Sequence, residues 1–150
     1  MFFVPCERVS LDAQDKMASL LGIIQGFTVT AVTSDLPQIP IIGAISEDNP
    51  KEVIPLRWTV FALWRKVPSD DGKKFVQACE LIKPNGKQSF RQELEFEMTA
   101  TFHRNTHNIF GFPTEEPGDY KLKLFLKEDK EFKFVCEYPI DVSHKTAPKT

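Results

Sequence analysis

The chain has 150 residues, a formal net charge of −2, 41% hydrophobic residues and 27% charged residues. This length suits one ordinary domain. The composition is close to the globular average, which excludes a wholly disordered chain, a collagen-like fibre and a bundle of bilayer-spanning helices. The slight negative charge argues against a dedicated nucleic-acid binder, because neutralising phosphates requires clustered lysine and arginine.

The beginning of the chain and its cysteines indicate a cytoplasmic protein. The first eight residues lack a cationic segment and their apolar run ends at Pro5, so they do not resemble a signal peptide. No run of about eighteen apolar residues follows, so we expect no transmembrane helix and no membrane partner. Cys6, Cys79 and Cys136 form an odd set without a CxxC pair, which is typical of reduced thiols.

Strands dominate the predicted secondary structure. The chain contains 13 phenylalanines and 11 prolines, a composition that favours pleated surfaces and leaves little room for long helices. Residues 10–20 allow at most one short N-terminal helix or helical turn, capped by Ser10 or Asp12. Period-two alternation predicts strands at 27–31, 56–64 and 94–102, and prolines around Ile39 and Ile41 indicate a short edge strand.

The last two predicted strands allow a register argument. Apolar residues occupy even positions on both sides of a loop near residue 130. Pairing Leu126 with Phe134 and Leu122 with Tyr138 keeps both apolar stripes on one face, and this requires a loop of three or five residues. A two-residue turn would shift the register by one and turn one stripe outwards.

The segment before Tyr120 resembles the tyrosine corner of immunoglobulin-like sandwiches, with the turn residue Gly118 two positions earlier. Leu122 stands where those domains have a disulfide cysteine, and Trp58 or Trp64 could be the core tryptophan. An ordinary turn followed by a buried tyrosine is the alternative. We predict an all-β chain: a single antiparallel immunoglobulin-like β-sandwich over residues 1–142, followed by a flexible tail over 143–150.

Several stretches resemble an uncharacterised bacterial family of small β-sandwich proteins, a domain of unknown function: 5–9, 19–24, 84–86, 112–113 and 117–120. The resemblance spans nearly the whole chain, and its motifs are turn and core residues. It implies a cytoplasmic immunoglobulin-like fold and supplies no activity, substrate or catalytic residue.

Residues 102–113 are the most chemically varied part of the chain, since they combine aromatic rings, imidazoles, an arginine and amides. Such residues are enriched at recognition surfaces. We therefore take His103, Arg104, His107 and Phe110 as the candidate binding residues of a partner- or ligand-binding loop. The alternative is a strand, a turn at 104–106 and a second strand that closes one end of the sandwich.

The spacing of His103 and His107 does not indicate a metal site. Two histidines four positions apart share a helix face, but in a strand they stand ~13 Å apart. Only a turn at 104–106 could bring them together, and no third ligand follows before Pro113. We expect no metal and no cofactor.

No catalytic motif is present: the chain lacks a GxSxG elbow, a P-loop, a Rossmann fingerprint and an HExxH motif. We expect a non-enzymatic protein-interaction module, an adaptor or a self-associating domain, that uses an end loop or an uncovered strand. The alternative is a sandwich that binds a small molecule, a carbohydrate or a lipid, in a cleft. A hydrolase would need His103 or His107 beside a nucleophile and a carboxylate.

Overall fold

The computed structural model describes residues 1–12, 14, 18–31 and 53–146. In these residues the chain forms nine strands: β1 (Phe2–Leu11), β2 (Ala18–Ile23), β3 (Gly26–Ala31), β4 (Val53–Arg65), β5 (Lys74–Ile82), β6 (Gln88–Glu97), β7 (Phe102–Pro113), β8 (Gly118–Glu128) and β9 (Glu131–Thr146). One 3-10 turn, Pro68–Asp70, is the only helical element among them. The short helix allowed within residues 10–20 is not seen in the described part of that segment, where β1 runs to Leu11 and β2 begins at Ala18.

The strands form two sheets. The four-stranded sheet has the order β2-β1-β4-β7, and the five-stranded sheet has the order β3-β9-β8-β5-β6. Neighbouring strands are antiparallel except β3, which runs parallel to β9 from the pair Gly26 and Asp141 onwards. Because apolar side chains from both sheets share one core cluster, the predicted all-β sandwich is confirmed.

Two aromatic side chains anchor this core by hydrogen bonds to the backbone. The indole nitrogen of Trp58 donates to the carbonyl of Gly111 over 2.9 Å. The hydroxyl of Tyr120 donates to the carbonyl of Glu116 over 3.1 Å, a hydrogen bond of the kind that a tyrosine corner makes. Phe112 lies between them, with ring centroids 5.7 Å from Trp58 and 5.2 Å from Tyr120. Both polar atoms are thereby satisfied inside an apolar cluster.

The connection between β6 and β7 differs from the prediction. Phe96 and Met98 are buried while the intervening Glu97 is exposed, as the alternation requires. The strand ends at Glu97, however, and the chain bends before β7 begins at the exposed Phe102. The turn expected at 104–106 is wrong, because β7 passes through those residues without interruption and pairs with β4 along its length.

The loop between β8 and β9 also corrects the prediction. Glu128 pairs with Glu131, so the turn has two residues rather than three or five, and Leu126 faces Lys133 instead of Phe134. Further from the turn, Leu122 pairs with Tyr138 as expected. Both registers therefore occur in the same hairpin.

A bulge in β9 reconciles the two registers. Leu124 pairs with Cys136, but the next residue, Phe125, pairs with Phe134, so Val135 is an extra residue without an opposite partner. Phe134 consequently joins Phe125 on the outside of the sheet, at 5.9 Å between ring centroids, and stays exposed. The predicted loop length was wrong because we assumed a single register along the whole hairpin.

Two expectations concern the ends of the described segments. The edge strand around Ile39 and Ile41 lies outside the described residues. β9 continues through Thr146, past position 142 where we expected the domain to end.

The described part of the chain contains no helix with the length and apolarity that a membrane crossing requires. Cys6, Cys79 and Cys136 are free thiols.

Candidate functional site

All four candidate binding residues lie on β7, and the alternation of the strand separates them into two pairs. Arg104 pairs with Leu63 of β4 and Phe110 pairs with Arg57, so both lie on the outer face of the four-stranded sheet. His103 and His107 occupy the opposite parity and face the inside of the sandwich. The two pairs therefore cannot act together on one ligand.

His107 belongs to a buried polar cluster that joins the two sheets. The Nε2 atom of Gln77 on β5 lies 2.7 Å from Nε2 of His107. The Oε1 atom of Gln77 accepts hydrogen bonds from the Trp64 indole over 2.6 Å and from the Asn105 amide over 3.0 Å. Gln77 is 0% exposed, Asn105 3% and His107 5%, so these bonds replace water inside the core.

The hydrogen bonds determine the charge state of His107. Because Oε1 of Gln77 accepts twice, its amide nitrogen faces the imidazole and donates, so Nε2 of His107 is unprotonated and the ring is neutral. Burial lowers the pKa of His107 from its usual 6.5 in the same direction. The cluster holds neither a nucleophile nor a carboxylate, and its function is to hold the two sheets together.

This cluster was not predicted from the sequence. Its signal was Gln77, a polar residue within the otherwise apolar run 75–79 of β5, but its partners lie on other strands, β4 and β7. His103 is also accounted for by packing, since its ring stacks on Phe96 with centroids 4.7 Å apart. Among the described residues, no three of histidine, cysteine, aspartate and glutamate gather closely enough to hold a metal ion.

The outer face of the four-stranded sheet carries the remaining candidate residues. We use "outer face" for the outward side chains of β1, β4 and β7: Phe2, Val4, Cys6 and Arg8; Arg57, Thr59, Phe61, Leu63 and Arg65; Phe102, Arg104, Thr106, Asn108 and Phe110. The described residues of this face line two cavities, one at each end.

The first, which we call the arginine cavity, has a volume of about 670 Å³. Its polar walls include Arg8 and Arg57, and Thr59 donates a hydrogen bond to the Asn108 side-chain oxygen over 3.0 Å. The guanidinium of Arg57 lies 5.9 Å from the ring centroid of Phe110, so this side chain extends from β4 over β7. The cavity presents cationic groups beside an aromatic ring.

The second cavity, the apolar groove, has a volume of about 330 Å³. Its walls are Phe2, Ala18, Leu20, Phe61, Leu63, Phe102 and Arg104. Ala18 and Leu20 of β2 pack on a cluster that contains Phe61, which is only 3% exposed although it points away from the sandwich core. The N-terminal hairpin thus covers part of the outer face and forms one wall of the groove. Arg104 is the one charged residue in that wall.

The free edge of β7 lies beside both cavities. The carbonyl of Thr101, just before β7, accepts from the amide of Lys66, just after β4, over 2.9 Å. Because backbone groups alternate in direction along an antiparallel strand, the odd-numbered residues of β7 bond to β4 and the even-numbered ones point away from it. Arg104, Thr106 and Asn108 therefore direct their amides and carbonyls to the open edge. Within the described residues, β7 pairs only with β4.

The four sheet edges differ in length and charge. β2 and β3 have six residues each. β6 has ten, and four of them are charged: Arg91, Glu93, Glu95 and Glu97. β7 has twelve residues, and Arg104 is its one Arg, Lys, Asp or Glu residue. Charged side chains are a common protection against unwanted strand pairing, so β7, the longest of the edges that the described strands form, has little of this protection.

Charges on the two outer surfaces are arranged differently. Arg8, Arg57, Arg65 and Arg104 form no ion pair with any described residue. The five-stranded sheet instead pairs its charges across neighbouring strands: Lys74 with Glu95, Arg91 with Glu80, and Lys121 with Glu137. The outer face therefore carries positive charge that no described carboxylate pairs with, on a chain whose net charge is −2.

Comparison with protein-family models, curated proteins and solved structures finds no match to this chain.

Proposed function

We propose that this protein is a non-enzymatic interaction module that binds an extended segment of another protein by strand addition to β7. The observation that carries the proposal is the outer edge of β7, which pairs with no described strand, is twelve residues long and contains a single Arg, Lys, Asp or Glu residue, Arg104. Strand addition supplies affinity through main-chain hydrogen bonds, and side-chain pockets beside the edge supply specificity. The arginine cavity and the apolar groove lie where such pockets are needed.

The finer features of the fold are part of this proposal. The strand order β9-β8-β5-β6 opposite β1-β4-β7, the parallel pairing of β3 with β9 and the hydrogen bond of Tyr120 support an immunoglobulin-like arrangement. The free thiols Cys6, Cys79 and Cys136 support a cytoplasmic location, since reducing compartments keep thiols unpaired.

A small-molecule binder is the second candidate, and the apolar groove is the observation that favours it. Hydrocarbon walls with Arg104 as their one charge suit an acyl chain with an anionic head better than a carbohydrate, which needs several polar partners. Titration with a fluorescent fatty acid tests this candidate. Saturable binding that Leu63→Arg abolishes, with no effect of Thr106→Pro, supports it over strand addition.

The test of strand addition is a selection from displayed random peptides of about twelve residues, the length of β7, followed by affinity measurements on variants. In Thr106→Pro the lost amide points to the open edge, so pairing with β4 is retained while one hydrogen bond to the added strand is lost. Glu95→Pro is the matched control. The amide of Met98 bonds to the carbonyl of Lys73, which places the Glu95 amide on the open edge of β6.

We expect Thr106→Pro to weaken the selected peptides about tenfold and Glu95→Pro to change their affinity less than about twofold. Hydrogen exchange of the wild-type protein provides a readout that needs no substitution. The amides of Arg104, Thr106 and Asn108 exchange rapidly in the free protein and become protected when a peptide binds. Failure to enrich any peptide, or peptides that leave those three amides unprotected, contradicts strand addition.

A further inference from the structure

We infer that the segment received by β7 is acidic, with two carboxylate side chains six positions apart that contact Arg104 and Arg57. This inference rests on the proposed strand addition and names the chemistry of its partner. Its basis is the positive charge of the outer face, the direction of the Arg57 side chain and the spacing along β7.

The first observation behind this inference is the set of arginines on the outer face. Four arginines of the outer face lack an ion-pair partner among the described residues: Arg8, Arg57, Arg65 and Arg104. Among the described residues that line the two cavities, Glu7 is the one carboxylate. Its side chain lies over Gly22 of β2, where a β-carbon would come within 2.6 Å of the Glu7 carboxyl carbon. Glu7 is therefore packed against β2, on the side of the sheet away from β7.

The second observation is the position of the Arg104 and Arg57 side chains relative to an added strand. An added strand places every second side chain on the outer face, about 4.5–5.5 Å from the side chain opposite it on β7. Arg104 belongs to β7 itself and is adjacent to that row. Arg57 belongs to β4, but its guanidinium lies over the ring of Phe110 and so reaches the row from the neighbouring strand.

The third observation is the distance between Arg104 and Phe110 along β7. Arg104 and Phe110 are six residues apart on the same face of β7, which corresponds to ~20 Å along the strand. An added strand has the same rise per residue, so two of its outward side chains six positions apart lie opposite Arg104 and Phe110. Aspartate or glutamate at those two positions matches the two guanidinium groups, while the side chains between them face Thr106 and Asn108.

The test uses the peptides selected against the wild-type protein. We expect them to be enriched in aspartate or glutamate at two positions separated by five residues. Arg57→Gln is expected to weaken them about tenfold, and raising the salt from about 0.05 to 0.5 M is expected to weaken them further. Lys121→Gln, on the outside of the other sheet, is the matched control and is expected to change affinity less than about twofold.

A double-substitution cycle locates each contact. Replacing the peptide carboxylate opposite Phe110 with its amide is expected to abolish the effect of Arg57→Gln and to preserve that of Arg104→Gln. Peptides that protect the Thr106 amide yet lack the paired acids overturn this inference and leave strand addition standing. Peptides that contain the acids but bind Thr106→Pro at full strength overturn strand addition. Enrichment by Arg57→Gln of the same acidic peptides also overturns the inference.

Discussion

The amide of Gln77 donates a hydrogen bond to Nε2 of His107 over 2.7 Å, and this contact joins the five-stranded sheet to the edge strand of the opposite one. The oxygen of the same side-chain amide accepts hydrogen bonds from Trp64 and Asn105, so three polar side chains depend on Gln77. The inner side of β7 is therefore attached to the core by hydrogen bonds, while the backbone groups of its even positions bond to no described strand.

Gln77→Met is expected to lower the free energy of unfolding by about 3 kcal/mol or more. The change retains side-chain volume but leaves the polar groups of Trp64, Asn105 and His107 without this partner, at about 1–3 kcal/mol for each buried group. Urea unfolding measures the loss. Gln88→Met, at an exposed position of β6, is the control and is expected to stay within about 0.5 kcal/mol of the wild type. A loss below about 1 kcal/mol for Gln77→Met contradicts a stabilising cluster.

Acidification is expected to weaken the fold through His107. Burial lowers its pKa in the folded state below 6.5, the value that the unfolded chain retains. Its contribution is therefore fully present above about pH 6.5 and is lost as the pH falls towards the folded pKa, because only the unfolded state takes up the proton. Unfolding free energies at pH 7.5 and about 5.5 measure this. His107→Gln is expected to show a smaller decrease than the wild type, and an equal decrease contradicts the assignment.

Asp129→Gly is expected to stabilise the chain by about 0.5–1 kcal/mol. Asp129 has φ of 61°, the one positive value among the described non-glycine residues, and glycine adopts this conformation without steric cost. Lys130→Gly is the control and is expected to lower stability, because that residue gains only unfolded-state freedom. Thermal unfolding distinguishes the two variants, and a loss in both contradicts the two-residue turn.

The cysteines are expected to react in an order set by burial. Burial raises the pKa of all three thiols, and Cys79 is fully buried while Cys136 is partly accessible. Only the thiolate reacts with iodoacetamide, so Cys136 should be alkylated first and Cys79 only after unfolding in urea. Mass spectrometry of peptides from a time course provides the order. Early modification of Cys79 contradicts the packing of β5.

Period-two patterns predicted the strands well where one face is buried and one is exposed, as at Phe96 and Met98 beside Glu97. The pattern continued to Phe102 in the sequence, but the strand did not, because alternation carries no information about where a chain bends. The loop between β8 and β9 was wrong for a related reason. A bulge at Val135 lets two registers coexist, and parity alone cannot locate a bulge.

The candidate binding residues could not be predicted as one site for a different reason, the alternation of side chains along a strand. His103 and His107 have odd numbers while Arg104 and Phe110 have even ones, so a single extended strand had to place them on opposite faces. Treating them as one loop concealed this. Gln77 was overlooked because a polar residue within an apolar run becomes informative only once its partners on other strands are known.

The odd and even positions of β7 face different surroundings. Every odd position from 103 to 109 turns both its side chain and its backbone groups towards the rest of the domain, and every even position turns both away. Under the proposed strand addition, a saturation scan of this strand should therefore show a two-residue period: substitutions at odd positions lower abundance in the cell, and substitutions at even positions lower peptide binding. Because the two phenotypes alternate without overlap, substitutions at even positions can change which peptide is bound without weakening the packing of β7 on the core.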